Sequence, residues 1–113
     1  MMLKYRLEEL ILENGESPFG DWFRSLDPVP AAKVRVALIR LQQGNLSRVE
    51  WFSGIGEYKI DWGPGIRVYL ARDGLDLLLL LGGGSKKRQH DDICDALSHW
   101  RDYKSRKQTE IGE

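Results

Sequence analysis

Cysteine is nearly missing from this sequence. Its one thiol, Cys94, has no partner for an internal disulfide, and with only His90 and His99 beside it no zinc-ligand spacing exists. A chain without disulfides is expected in a reducing, cytoplasmic compartment. Long hydrophobic runs are missing too. The longest is the five leucines at 77–81, against the ~20 apolar residues of a membrane-spanning helix. No basic segment followed by an apolar one opens the chain, so no signal peptide is expected. A charge excess is also lacking, because 17 Lys/Arg balance 17 Asp/Glu, and a uniformly basic nucleic-acid-binding domain is excluded. The balance is uneven, though: residues 1–27 carry three basic against six acidic side chains, and the rest carry the opposite surplus.

What is present reads as one α+β domain over residues 1–103, followed by a frayed tail at 104–113. Residues 3–12, "LKYRLEELIL", fit a strand or a helical face equally well. "FGDWFRSL" at 19–26 reads as a short helix. The stripe Val34, Leu38 and Leu41 predicts a second from Ala31 to about Gln43, stopped by Gly44-Asn45. "GEYKIDWGPGIRVYLA" at 56–71 then alternates about a Gly-Pro-Gly turn, the signature of a hairpin. A three-residue loop at 63–65 predicts Trp62 opposite Ile66, Asp61 opposite Arg67 and Lys59 opposite Tyr69. Tyr58, Ile60, Trp62, Ile66, Val68 and Leu70 share one face, with Glu57, Lys59, Asp61, Arg67, Tyr69 and Ala71 on the other, taken as the solvent side. The leucines of 75–82 predict a central strand covered by helices, and "GGGS" at 82–85 a break. Ile93, Leu97 and Trp100 mark a last helix over 88–103, in which Cys94 is expected to be a small buried hydrophobe.

Two places carry candidate chemistry. The polar hairpin face is either a solvated surface with an Asp61–Arg67 ion pair, or a patch that grips phosphate. For the second reading Arg67 supplies a rigid fork, Lys59 a compact charge, and Tyr69 a ring to stack on or orient a base. The other place is "GGGSKKRQHDD" at 82–92, where Lys86, Lys87 and Arg88 stand at the positive end of a helix. They either serve an external anion or lie before the first turn, offset by Asp91 and Asp92. The stretch lacks the P-loop spacing. His90 beside it is a candidate general acid, whereas His99 reads as a surface residue. No metal site and no cofactor are expected.

The strings "PFGDWFRSL", "ALIRLQQGN", "GIGEYKIDWGPGIRVYLA" and "LLLLLGGGSKKRQHDDI", with Trp100, run in an order that resembles the RelE/ParE superfamily of bacterial toxins. The likeness is to its phage-type branch of addiction-module killer proteins and covers residues 5–102. It implies an N-terminal edge strand, a helix pair, a twisted antiparallel sheet of consecutive hairpins and a C-terminal helix, a microbial-RNase-like fold. It implies a type II toxin whose partner is an antitoxin, a helix-turn-helix protein from the adjacent gene. RelE-type members cleave mRNA on the ribosome without metal, ParE-type members poison DNA gyrase, and a member that has lost toxicity is an inert binding module. By position, the phosphate-contacting arginine is Arg67, the basic residue of the preceding strand is Lys59, and the one after the last strand is Lys86, with Lys87 as alternate. No residue matches the C-terminal tyrosine of RelE, for which His90 is the candidate substitute.

Overall fold

A computed structural model describes residues 3–111. The chain is α+β, with a five-stranded mixed sheet between helices. Strand β1 (Arg6–Glu9) lies at one edge and pairs in parallel with β5 (Leu77–Ser85), so the ambiguous N-terminal segment is a strand. Two helices follow it. Helix α1 (Pro18–Arg24) is capped by Ser17, whose Oγ accepts from the Gly20 N–H and donates to Glu9 Oε1. Helix α2 (Pro28–Gln42) begins at the proline pair, three residues earlier than the apolar stripe indicates, because proline already has a helical φ and lacks the N–H that a first turn leaves unpaired. Gly44 ends it at φ 89°, its N–H bonded to Leu41 O, with the Asn45 N–H on Arg40 O.

Strands β2 (Val49–Phe52), β3 (Ile55–Ile60) and β4 (Ile66–Asp73) complete the sheet in the order β1-β5-β4-β3-β2. β2 went unread in the sequence, being four residues long. It joins β3 through Ser53 and Gly54, whose positive φ values (53° and 87°) make the tight turn that suits strand twist. The β3–β4 register differs by two residues from the expected one: Ile60 faces Ile66, Lys59 faces Arg67 and Glu57 faces Tyr69. Asp61 and Trp62 belong to the turn, which closes on itself through the Trp62 N–H to Ile60 O and the Gly65 N–H to Trp62 O. A slip of two keeps every side chain on its face, which is why the pattern could not exclude it.

Both faces of the sheet are covered. On one, Phe19, Val34, Ala37 and Leu41 of α1 and α2 pack on Tyr58, Ile60, Val68, Leu70 and Leu80. On the other, Ile93, Ala96, Leu97 and Trp100 of helix α3 (Gln89–Ile111) pack on Ile55, Tyr69, Ala71, Leu79 and Leu81. The hairpin face taken for solvent is therefore an interior one along most of its length. Gly82–Ser85 does not break the chain either. The glycines are the end of β5, where a bulge beside Tyr69 resets the alternation. A Cβ on Gly83 would overlap the Trp22 ring, and one on Gly84 would overlap Asp92, so their bareness lets α1 and α3 close on the sheet.

Lys86–Arg88 form a short 3-10 turn leading into α3. The helix then continues through 104–111, where a frayed tail was expected, while residues 112–113 of that tail lie outside the described residues. Side chains beyond the apolar stripe hold it: Lys107 Nζ lies 2.8 Å from Asp73, and Arg106 Nη2 donates to Ile11 O. Cys94 is exposed on α3 instead of buried, because it falls one residue after Ile93 and so off the stripe. No described helix is long and apolar enough to cross a membrane.

Candidate functional site

Where β3 and β4 pass under the start of α3, the sheet carries a polar layer in place of an apolar one. Arg67 is 4% exposed and Glu57 7%, and they form an ion pair with Arg67 Nε 3.6 Å from Glu57 Oε2. Gln89, first residue of α3, donates to that same oxygen at 2.9 Å. Glu57 thus ties together β3, β4 and the helix. The Asp61–Arg67 pair is not formed, because Asp61 has moved into the turn.

Tyr69 is fully buried in this layer. A base cannot reach its ring, so the stacking role read from the sequence does not fit this conformation. Burial, with the Glu57 carboxylate next to it, pushes the Tyr69 hydroxyl far above the ordinary tyrosine pKa, and it stays protonated. Asp92, seated over Gly84, has its pKa raised by burial, which outweighs the opposing pull of Arg88. Arg67 Nε and Nη1, Tyr69 Oη and Asp92 Oδ2 are buried without hydrogen-bond partners. Such groups are rare, and each is a place where an added acceptor or donor would gain.

At its outer end the layer opens into a cleft of about 420 Å³. Lys59 from β3, Arg67 from β4 and Lys86 from the 3-10 turn line it together with the turn residues 61–65. The three cations read from two separate strings therefore meet in one place. Gly65 allows it: a Cβ there would sit 3.2 Å from Arg67 Nη1 and 4.0 Å from the Lys86 Cβ. Neither Lys59 nor Lys86 enters an ion pair among the described residues. Three cations lining one open concavity make a receptor for a phosphate or another compact anion.

The remaining candidates lie apart from the cleft. Lys87 is exposed and not part of the lining, and Arg88 leans back on Asp92, with Nε 3.8 Å from Oδ1. His90 is exposed on the first turn of α3, its Nε2 3.9 Å from Cys94 Sγ, and does not line the cleft. It is one residue past Gln89, which turns inward to Glu57, so helical geometry aims it elsewhere. Two lining residues were missed, Asp61 and Trp62. The signal for them was their place directly before Gly-Pro-Gly, where widening the loop by two residues moves both from strand to rim. A second groove, of about 350 Å³, shares Asp61 and is lined by Lys33, Arg40 and Arg48. No cluster of three or more metal-ligating side chains occurs among the described residues.

The chain is 40% identical over 80 residues to an uncharacterized protein of Haemophilus influenzae, an overlap of 69% of this chain and 81% of the other, and it belongs to that protein's family. No protein-family model and no solved structure matches it.

Proposed function

We propose that the protein is the toxin of a type II toxin–antitoxin module of RelE/ParE type, acting in the cytoplasm as a metal-independent endoribonuclease on ribosome-bound mRNA. The observation that supports this reading is the convergence of Lys59, Arg67 and Lys86 on one open cleft. In RNA cleavage the 2′-oxygen bonds to the adjacent phosphorus while the bond to the 5′-oxygen breaks, leaving a 2′,3′-cyclic phosphate and a 5′-hydroxyl. The charge that builds on the phosphoryl oxygens is met by the Arg67 fork and the Lys86 ammonium, the largest contribution such a site makes. The Asp61 carboxylate, which lines the same cleft, accepts the 2′ proton, while Lys59 stays a cation facing the phosphate. The Lys86 ammonium returns one to the departing oxygen, a role the placement of His90 leaves vacant.

A second reading is a non-catalytic toxin that poisons a large target such as DNA gyrase. The ion pair of Arg67 with Glu57 and the burial of Tyr69 favour it, since both withdraw groups from the cleft. In either reading the partner is an antitoxin encoded beside it. Induced expression in a bacterium with primer extension on cellular mRNA decides between them. Cuts between codon positions, lost in Arg67→Ala at unchanged circular dichroism, support the ribonuclease. Intact mRNA with broken DNA supports the second reading, and unimpeded growth rejects both.

A further inference from the structure

Trp62 stands out among the four tryptophans. Trp22 and Trp100 pack into the two cores, and Trp51, though exposed, lies across Gly56. Trp62 joins neither core and is left 37% exposed at the rim of the cationic cleft. Its ring meets no lysine or arginine face and no other aromatic ring among the described residues. The turn that carries it closes on itself. Gly63 and Gly65 take φ of 57° and 97° on either side of Pro64, and the Gly65 N–H closes on Trp62 O at 2.9 Å. An indole a little over a third exposed, packed in neither core, is thus carried at the rim of the cleft on a turn closed by its own hydrogen bond, beside an arginine that is nine-tenths buried with two nitrogens lacking a hydrogen-bond partner.

We infer that Trp62 is a stacking platform for a nucleobase, so that the cleft takes single-stranded nucleic acid, with one phosphate at Arg67 and Lys86 and a neighbouring base on the indole. This deepens the anion-binding reading of the cleft and rests on it. Every base has a π-face, so a lone aromatic platform accepts any of them, but only once the base has left its duplex stack. The indole supplies what Tyr69, enclosed under α3, cannot.

The test measures binding of a short 2′-O-methyl RNA strand, the same strand made abasic, and its duplex, by fluorescence anisotropy. Wild type, Trp62→Ala, Trp62→Phe, Arg67→Ala and Lys86→Ala, which leaves the buried ion pair intact, are compared after circular dichroism shows each to be folded. Stacking on one platform predicts that Trp62→Ala weakens the base-bearing strand about tenfold, while the abasic strand is unaffected and Trp62→Phe keeps most of the affinity. Arg67→Ala and Lys86→Ala weaken both strands, and the duplex binds worst. The base-bearing strand also quenches intrinsic fluorescence in wild type but not in Trp62→Phe, a readout that does not depend on Trp62→Ala folding. If Trp62→Ala binds the base-bearing strand like wild type while Arg67→Ala does not, the platform is refuted and the anion cleft stands. Unchanged binding in Arg67→Ala, or no binding by the wild type, overturns both.

Discussion

Lys59 and Arg67 face each other directly across the β3–β4 ladder, two like charges where a sheet ordinarily places opposite ones. Such a pairing costs roughly 0.2–1 kcal/mol, and an anion seated between them removes the cost. Lys59→Thr should therefore raise stability by about 0.5 kcal/mol in urea titrations while weakening RNA binding, a gain in one quantity set against a loss in the other. A drop in stability would show that Lys59 is placed by packing. Glu57 has the opposite role. Removing it leaves a buried guanidinium without a counter-charge, so Glu57→Ala should lose on the order of 3 kcal/mol, and Glu57→Gln, which still accepts from Gln89, distinctly less. Equal losses in the two variants would mean that the charge, which both remove, holds the layer, and not the hydrogen bond that Glu57→Gln keeps.

The elements show how the cleft is kept in shape. β5 ends in glycines because α1 and α3 both approach there, so Gly83→Ala and Gly84→Ala should each destabilise by about 1–3 kcal/mol in thermal or chemical unfolding, although both lie outside the cleft. Helix α3 is pinned at its other half by Asp73, which accepts from Tyr103 Oη at 2.6 Å and from Lys107. The hydrogen bonds from Lys107 and Tyr103 hold the Asp73 carboxyl below the usual carboxylate range. A lowered folded-state pKa contributes stability above the ordinary value and loses it as pH falls through the lowered one. Tyr103 runs the other way. Burial and the bond to Asp73 push it up to about 12, so its contribution is complete below the ordinary tyrosine value and is lost as pH rises through about 12. Protection of the amides along 103–111, taken relative to the intrinsic exchange rate at each pH, should accordingly fall at both pH extremes, and Asp73→Asn should flatten the acid limb. An acid limb unchanged in that variant would place the anchor elsewhere.

For the whole molecule, zero net charge means that, under the function proposed above, long-range attraction to RNA is weak and binding depends on the local group of cations. Three cations on a single strand give a slope of about −2 in log affinity against log salt, at about −0.7 per neutralised phosphate, and Arg67→Ala should reduce it by about 0.7. A much steeper slope would indicate that the strand continues past Asp61 into the groove of Lys33, Arg40 and Arg48.

Much of this architecture was legible along the chain. Period-two alternation at 56–71, the Gly-Pro-Gly turn, the α2 stripe with its Gly44 stop and the leucines of β5 are local patterns, and local patterns follow from backbone sterics and side-chain spacing whatever lies elsewhere. They determined the order of the elements from α1 to α3 apart from β2, the two side-chain faces of the hairpin and the identity of the cations Lys59, Arg67 and Lys86. Which face meets water is a different kind of fact. Glu57, Arg67 and Tyr69 are polar and so read as exposed, but α3 arrives from residues 20 and more positions away to cover them, and Glu57 then pairs with Arg67 and accepts from Gln89. Burial, ion pairing and the meeting of the two basic strings at one cleft arise from contacts distant in sequence, and only the tertiary structure decided them.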